Sequence, residues 1–178
     1  MTAASMPLEK NNRLMSAKSY RKKTWQEKLA DSKGLPKVGK ITGKMSSRWG
    51  TGTMVAPAPI EVDELMRRVP KGRVTTISQI REALARKHRV NFTCPITTGI
   101  FAWIASHAAE EAAAQGRKRI TPYWRTLKSE GELNFKYPGG VEAQAARLRA
   151  EGLEIEPGKG KKPPVVKDFS RHLARTLI

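Results

Sequence analysis

Charge limits this chain more than any other feature. The formal net charge is +18, and it is unevenly placed. Residues 1–54 hold 12 Lys/Arg against 3 Asp/Glu, residues 55–156 hold 16 against 12, and residues 157–178 hold 6 against 1. Segments as cationic as the two ends repel themselves when compact and attract polyanions instead. An ordinary core fits only in the middle, and 178 residues suffice for one domain with extensions. The expected organisation is a flexible basic extension over 1–54, a folded domain over 55–156, and a basic extension over 157–178 that carries a short helix.

Three polyanions suit such an excess: DNA, RNA and an anionic membrane. No apolar run approaches the roughly 20 residues of a spanning helix, so a membrane is not the expected partner. The opening MTAASMPLEKNNRLM lacks the continuous apolar stretch of a secretory signal. The one cysteine, Cys94, leaves no internal disulfide and no multi-cysteine metal site. His88, His107 and His172 show no ligand spacing with acids or with Cys94. The expectation is a monomer in the reducing cytoplasm, associated with the nucleoid, holding no metal and no cofactor.

The first segment is rich in Lys, Ser and Gly, and stretches such as KGLPKVGKITGK suit an extended chain better than a helix. It shows no strand–helix alternation. Tyr20, Trp25 and Trp49 lie among its cations. Two readings stay open for these rings. Bases stack on them while lysines meet phosphates, or the tryptophans of a solvated tail pack back on the domain.

The middle reads as helices first. Val62, Leu65, Met66 and Val69 fall at i, i+3, i+4 and i+7, and Pro70-Lys71-Gly72 ends that helix. Thr76 and Gln79 form a capping-box pattern, and Ile77, Ile80 and Leu84 continue it to about Lys87. After Cys94-Pro95 an alanine-rich helix runs from about Thr98 to Gln115, with Gly116 as its stop. Phe101, Ile104, Ala105, Ala108 and Ala112 make its buried stripe. Trp124–Leu127 and Leu133–Tyr137 read as extended pieces around the turn Ser129-Glu130-Gly131. Val141, Ala145 and Leu148 mark a further helix closed by Gly152. Asp168 is placed to cap a last helix with Phe169, Leu173 and Leu177 inward. The expected fold is mainly α, a winged-helix-like helix-turn-helix domain with a short β wing, flanked by basic extensions.

Three pieces in order carry a resemblance. The first is Val69-Pro70-Lys71-Gly72-Arg73-Val74-Thr75-Thr76. The second is Pro122-Tyr123-Trp124-Arg125. The third runs from Ser129-Glu130-Gly131-Glu132-Leu133 through Tyr137-Pro138-Gly139-Gly140 to Ala150-Glu151-Gly152. Over about Val55–Glu156 the chain resembles the DNA-binding domain of the alkylguanine-DNA alkyltransferase family, without that family's amino-terminal α/β domain. The resemblance places Tyr123 at the family's alkyl-accepting cysteine and Trp124 at the histidine that activates it. Glu151 matches the glutamate that serves the histidine. A phenol ionises near about 10 and a thiol near about 8.5, and the thiolate is the better nucleophile. With no base beside it, Tyr123 is not expected to accept an alkyl group. Ile77 stands where the family has a phosphate-rotating tyrosine, and Gly99 where it has an arginine finger.

The resemblance therefore implies a non-catalytic, alkyltransferase-like protein that binds double-stranded DNA, senses alkylated guanine and flags it for repair proteins. Its lesion pocket would be Pro122, Tyr123, Trp124, Tyr137, Pro138 and Gly139. Thr75, Thr76, Gln79, Thr97, Thr98, Gly99 and Ser129 would meet DNA, and Arg125 and Glu151 would be structural. Two other readings stay open. One is an active alkyltransferase with Cys94 or Tyr123 as a non-standard acceptor. The other is a general RNA- or nucleoid-binding protein.

Overall fold

The computed structural model describes residues 21–175 and 177; Tyr20 and the opening stretch considered for a secretory signal lie outside the described residues. Four short elements come first: α1 (Trp25–Ala30), β1 (Lys37–Lys40), α2 (Lys44–Trp49) and β2 (Thr53–Ala56). Next come α3 (Pro59–Arg67), β3 (Thr75–Thr76) running straight into α4 (Ile77–Lys87), and β4 (Phe92–Thr93) just ahead of α5 (Pro95–Ala114). A 3-10 turn over Tyr123–Arg125 leads into β5 (Thr126–Leu127). The chain closes with α6 (Gly140–Ala150), β6 (Ile155–Glu156), β7 (Val165–Val166) and a second 3-10 turn, Phe169–His172.

The fold is mixed α/β, which corrects the mainly helical expectation. β1 lies antiparallel on β2 in the register Lys37 opposite Ala56, and β2 pairs parallel with β4, Met54 opposite Phe92. β3 and β5 form a short parallel pair, Thr75 opposite Thr126, which brings the start of α4 beside the Tyr-Trp-Arg turn. β6 and β7 pair antiparallel. Strand–helix alternation thus does occur within the first segment. The signal was weak because β1 is exposed along its whole length and carries no apolar alternation.

Two cores lie side by side. One joins α3, α4 and α5 through Val62, Leu65, Met66, Ile80, Leu84, Ala102 and Ala105, and includes Tyr123 and Tyr137. The other gathers Val74, Leu127, Leu133, Leu148 and Val166. Trp124 packs against both.

The helices follow their sequence signals with shifted ends. α3 starts at Pro59, whose fixed φ suits the first helical position, and stops before Val69, which is still buried. The Thr76–Gln79 capping box forms as read. α5 begins at Pro95 rather than Thr98, again because proline suits the first turn. Its buried face is Ala102, Ala105, Ala108, Ala109 and Ala112, while Phe101 and Ile104 are only partly covered.

Two expected elements are replaced. Leu133–Tyr137 is not a strand beside Trp124–Leu127; the Leu133 amide bonds the Pro164 carbonyl, and Glu132 bridges Val165 instead. The turn before it does form. Gly131, at φ 78°, lets the chain pass the Phe169 ring, which a Cβ at that position would overlap. At the other end Asp168 makes no side-chain cap and sits at φ 46°, so a 3-10 turn forms where a helix was expected. Phe169 and Leu173 pack against the second core there.

Buried polar side chains clamp these pieces. The Gln144 amide donates to the Trp124 and Thr126 carbonyls at 3.0 and 3.3 Å and accepts from the Asn134 amide at 2.7 Å. Glu61 accepts from the Ala58 amide, Lys87 and His88, tying α3 to the end of α4. Burial opposes ionisation of Glu61, yet these donors hold it below the ordinary glutamate range. Asp63, fully buried, accepts from Thr121 Oγ1 at 2.6 Å and from Arg67 Nε at 2.7 Å. Thr121→Val keeps the shape but leaves one carboxylate oxygen unpaired. Urea unfolding is expected to show a loss of about 1–3 kcal/mol; a loss under about 0.5 kcal/mol would mean that the Asp63–Thr121 bond does not hold the fold.

Candidate nucleic-acid interface

The turn Pro122-Tyr123-Trp124-Arg125 is held from behind. Tyr123 is 1% exposed, and its hydroxyl donates to Glu110 Oε1 of α5 at 2.8 Å. Arg147 of α6 reaches the same carboxylate oxygen and lies over the Trp124 and Tyr123 rings at 4.5 and 5.4 Å. Burial first, then the hydrogen bond to Glu110, pushes the phenol well above its ordinary value. Its hydroxyl serves as a neutral donor to Glu110 in this site.

Trp124 and Arg125 converge on Glu151. The indole Nε1 donates to Oε1 at 2.8 Å, Arg125 donates through Nε and Nη2 at 2.8–3.1 Å, and the Gly72 amide donates to Oε2 at 3.1 Å. Arg125 Nη1 also reaches the Val69 carbonyl at 2.7 Å. One carboxylate thus joins the Pro70-Lys71-Gly72 turn, the Tyr-Trp-Arg turn and the end of α6. An indole N–H only donates, so this pair cannot withdraw a proton from a neighbour as an imidazole can.

Cys94, the single cysteine, is buried at the start of α5, where its backbone carbonyl accepts from the Thr98 and Thr97 hydroxyls at 2.7 and 3.3 Å.

In front of the Tyr-Trp-Arg turn lies an open cleft of about 540 Å³. Pro95, Ile96, Gly99, Ile100 and Trp103 of α5 form one side, and Asn134, Phe135, Lys136 and Tyr137 form the other. Ile77, Leu127 and Lys128 lie between them. Ile96, Ile100 and Phe135 are 58%, 45% and 59% exposed, an unusual concentration of apolar surface at one mouth. Cations accompany it, with Lys128 and Lys136 ammoniums 5.1 and 6.0 Å from the Phe135 ring centre. Ser78 Oγ donates to Ser129 Oγ at 2.8 Å, joining α4 to the exposed Ser129 turn.

Of the pocket residues read from sequence, only Tyr137 lines this cleft. Tyr123 stands one layer behind it, edge-on at 5.4 Å, and Pro122 is buried with it. Trp124 is wedged between the two cores. Pro138 is partly exposed. Gly139, at φ 72°, starts α6 where a Cβ would meet Ala143 at 2.5 Å. Among the residues read as DNA-facing, Gly99 and Ser129 are exposed. The hydroxyls of Thr75, Thr76 and Thr98 turn inward, to Gln79 Oε1, the Gln79 amide and the Cys94 carbonyl. Ile96, Ile100, Trp103, Phe135, Lys128 and Lys136 escaped the sequence reading. A signal existed: Ile96, Ile100 and Trp103 fall at i, i+4 and i+7, a second apolar stripe on a helix whose alanines already supply the first.

The Glu151 junction predicts a pH dependence. Burial opposes its charge, but Arg125, Trp124 and the Gly72 amide outweigh burial and hold its carboxyl below the ordinary value. A depressed carboxylate stabilises the fold above its unfolded pKa of about 4.3 and loses that contribution as pH falls through the folded value. The melting-temperature gap between the native chain and Glu151→Gln is expected to be full at pH 7 and to shrink below about pH 4.3. A gap that stays constant from neutral to acid contradicts the assignment.

No family model matches the sequence, and no curated protein matches it. Among solved structures the chain is similar to S. pombe Atl1 in complex with damaged DNA containing O6-carboxymethylguanine, at 18% sequence identity and a TM-score of 0.47, over 66% of this chain and 94% of that one.

Proposed function

We propose that this chain is a non-catalytic DNA-binding protein of the alkyltransferase-like type, holding an alkylated guanine in the cleft between α5 and the Asn134–Tyr137 loop. One observation carries the reading. The two positions that alkyl transfer needs are spent on structure, Tyr123 on Glu110 and Trp124 on Glu151, while an apolar cleft stands open beside them. Concave, mostly apolar sites with a few polar groups are what small planar ligands occupy.

In this reading α4 and α5 act as the helix-turn-helix pair, with α5 entering a groove and the Lys128–Glu132 turn serving as a wing. Gly99 has open space above it, so no finger fills the gap left by a turned-out base. Ile96 and Ile100, exposed on either side of Gly99, take that role as apolar wedges. Lys128 and Lys136 meet phosphates near the cleft mouth. The product of such binding is a held lesion, presented to repair proteins.

The decisive measurement compares duplexes that differ in one base, O6-alkylguanine or guanine, at physiological salt. A preference of at least about tenfold, or 1.4 kcal/mol, is expected. Equal affinity leaves a general DNA binder, and displacement by RNA at equal strength leaves a general nucleic-acid binder. Mass spectrometry of the incubated protein is expected to show no added alkyl group. A gain abolished by Cys94→Ala establishes transfer instead.

Two double substitutions test the surface. Ile96→Ser with Ile100→Ser is expected to erase the lesion preference while stability stays within about 0.5 kcal/mol, as for other exposed changes. Lys128→Ala with Lys136→Ala is expected to flatten the logarithmic salt dependence by up to about 0.9 for each phosphate that is no longer neutralised. An unchanged slope places those lysines outside the interface.

A further inference from the structure

We infer that the short N-terminal helix α1 is a strut of the cleft, with Trp25 as a positioning residue that sets how Trp103 presents itself to a base. This rests on the proposed function of the cleft but concerns a segment that the resembled domain does not include.

Trp25 is already engaged on its faces and edge, so it is not a stacking platform for nucleic acid. One partner is His107 of α5, stacked with ring centres 4.5 Å apart and planes 23° apart. Another is the Lys28 ammonium, 3.8 Å from the indole centroid. A third is Trp103, met edge-on at 4.8 Å. Trp103 in turn lines the cleft, one turn of α5 beyond Ile100. His107 meets Trp103 edge-on at 5.2 Å and lies within hydrogen-bonding reach of the Lys136 backbone, on the cleft's opposite side. A run of contacts therefore crosses from α1 through Trp103 and His107 to the loop that faces them.

The attachment of α1 is specific rather than adhesive. Thr24 and Glu27 cap the helix reciprocally. The Trp25 and Gln26 amides then donate to the two oxygens of Glu111 on α5 at 3.2 and 2.9 Å, and Gln26 Nε2 donates to Gln115 at 2.9 Å. Exposed free amides at a helix start welcome a carboxylate, and here that carboxylate belongs to the helix that lines the cleft. An edge-to-face aromatic pair fixes ring orientation beyond simple contact. Removing Trp25 frees the Trp103 indole to leave its present angle without altering any residue of the cleft itself.

The test uses the full chain labelled with 5-fluorotryptophan, with the Trp103 signal assigned from Trp103→Phe. Trp25→Ala and Glu111→Ala, the second of which detaches α1 while keeping its aromatic ring, are expected to shift or broaden the Trp103 resonance. Trp25→Phe, which keeps an edge partner, is expected to restore it. In DNA binding, Trp25→Ala is expected to lower the ratio of alkylated to plain duplex affinity by at least about fivefold, the low end of coupling between linked sites. Trp25→Phe is expected to recover that ratio. An unmoved Trp103 resonance in both alanine variants overturns the strut, whatever the DNA result. A moved resonance with an unchanged ratio overturns Trp25 as a specificity determinant. If the native chain itself shows no lesion preference, the functional reading fails, while the resonance still decides whether α1 positions Trp103.

Discussion

The arrangement depends on a single carboxylate. Glu151 receives an indole N–H, a guanidinium and a backbone amide from two separate turns, and its own backbone ends α6. Arg125 and Glu151 are both largely removed from water, where a lone charge is costly and a paired one directs geometry. The start of α4 and the Tyr-Trp-Arg turn are then aligned closely enough for β3 and β5 to pair. Tyr123 is thereby set against Glu110 and Tyr137, and the loop that carries Tyr137 is set across from α5.

α5 performs two tasks on two faces. Alanines let it lie close against α3 and α1, and buried small side chains leave little room for reorientation. The bulky residues that an ordinary core helix would turn inward are on its outer face instead, at Ile96, Ile100 and Trp103. Exposed apolar surface of this kind is costly to leave bare in water unless a partner covers it.

Much of this was legible in the sequence, and what was missed has identifiable causes. Helices α3, α4 and α6 could be read because their apolar spacing and stop signals agree, and the Thr76–Gln79 cap was visible residue by residue. The ordered motifs located Tyr123, Trp124 and Glu151, which the fold brings into hydrogen-bonded or edge-on contact. Leu133–Tyr137 was misread as an extended partner of Trp124–Leu127 because Leu133 bonds Pro164, a partner some thirty positions on that no local pattern announces. Tyr123 and Trp124 were expected at the pocket surface, yet aromatic side chains with polar tips settle equally well inside when a carboxylate can meet the tip. α1 was hidden because it is only six residues long within a cation-rich segment, and its anchor, Glu111, lies 85 positions from Gln26.

The neutral phenol at Tyr123 has a consequence for stoichiometry. A protein that captures a group on its own side chain is consumed by its work, one molecule for each event. On the proposed reading, a chain with a hydrogen-bonded tyrosine behind its cleft would form no bond that must later be broken, and release would restore it unchanged. Its effect would then be governed by how long it stays in place, and a small number of copies could patrol a long polymer repeatedly.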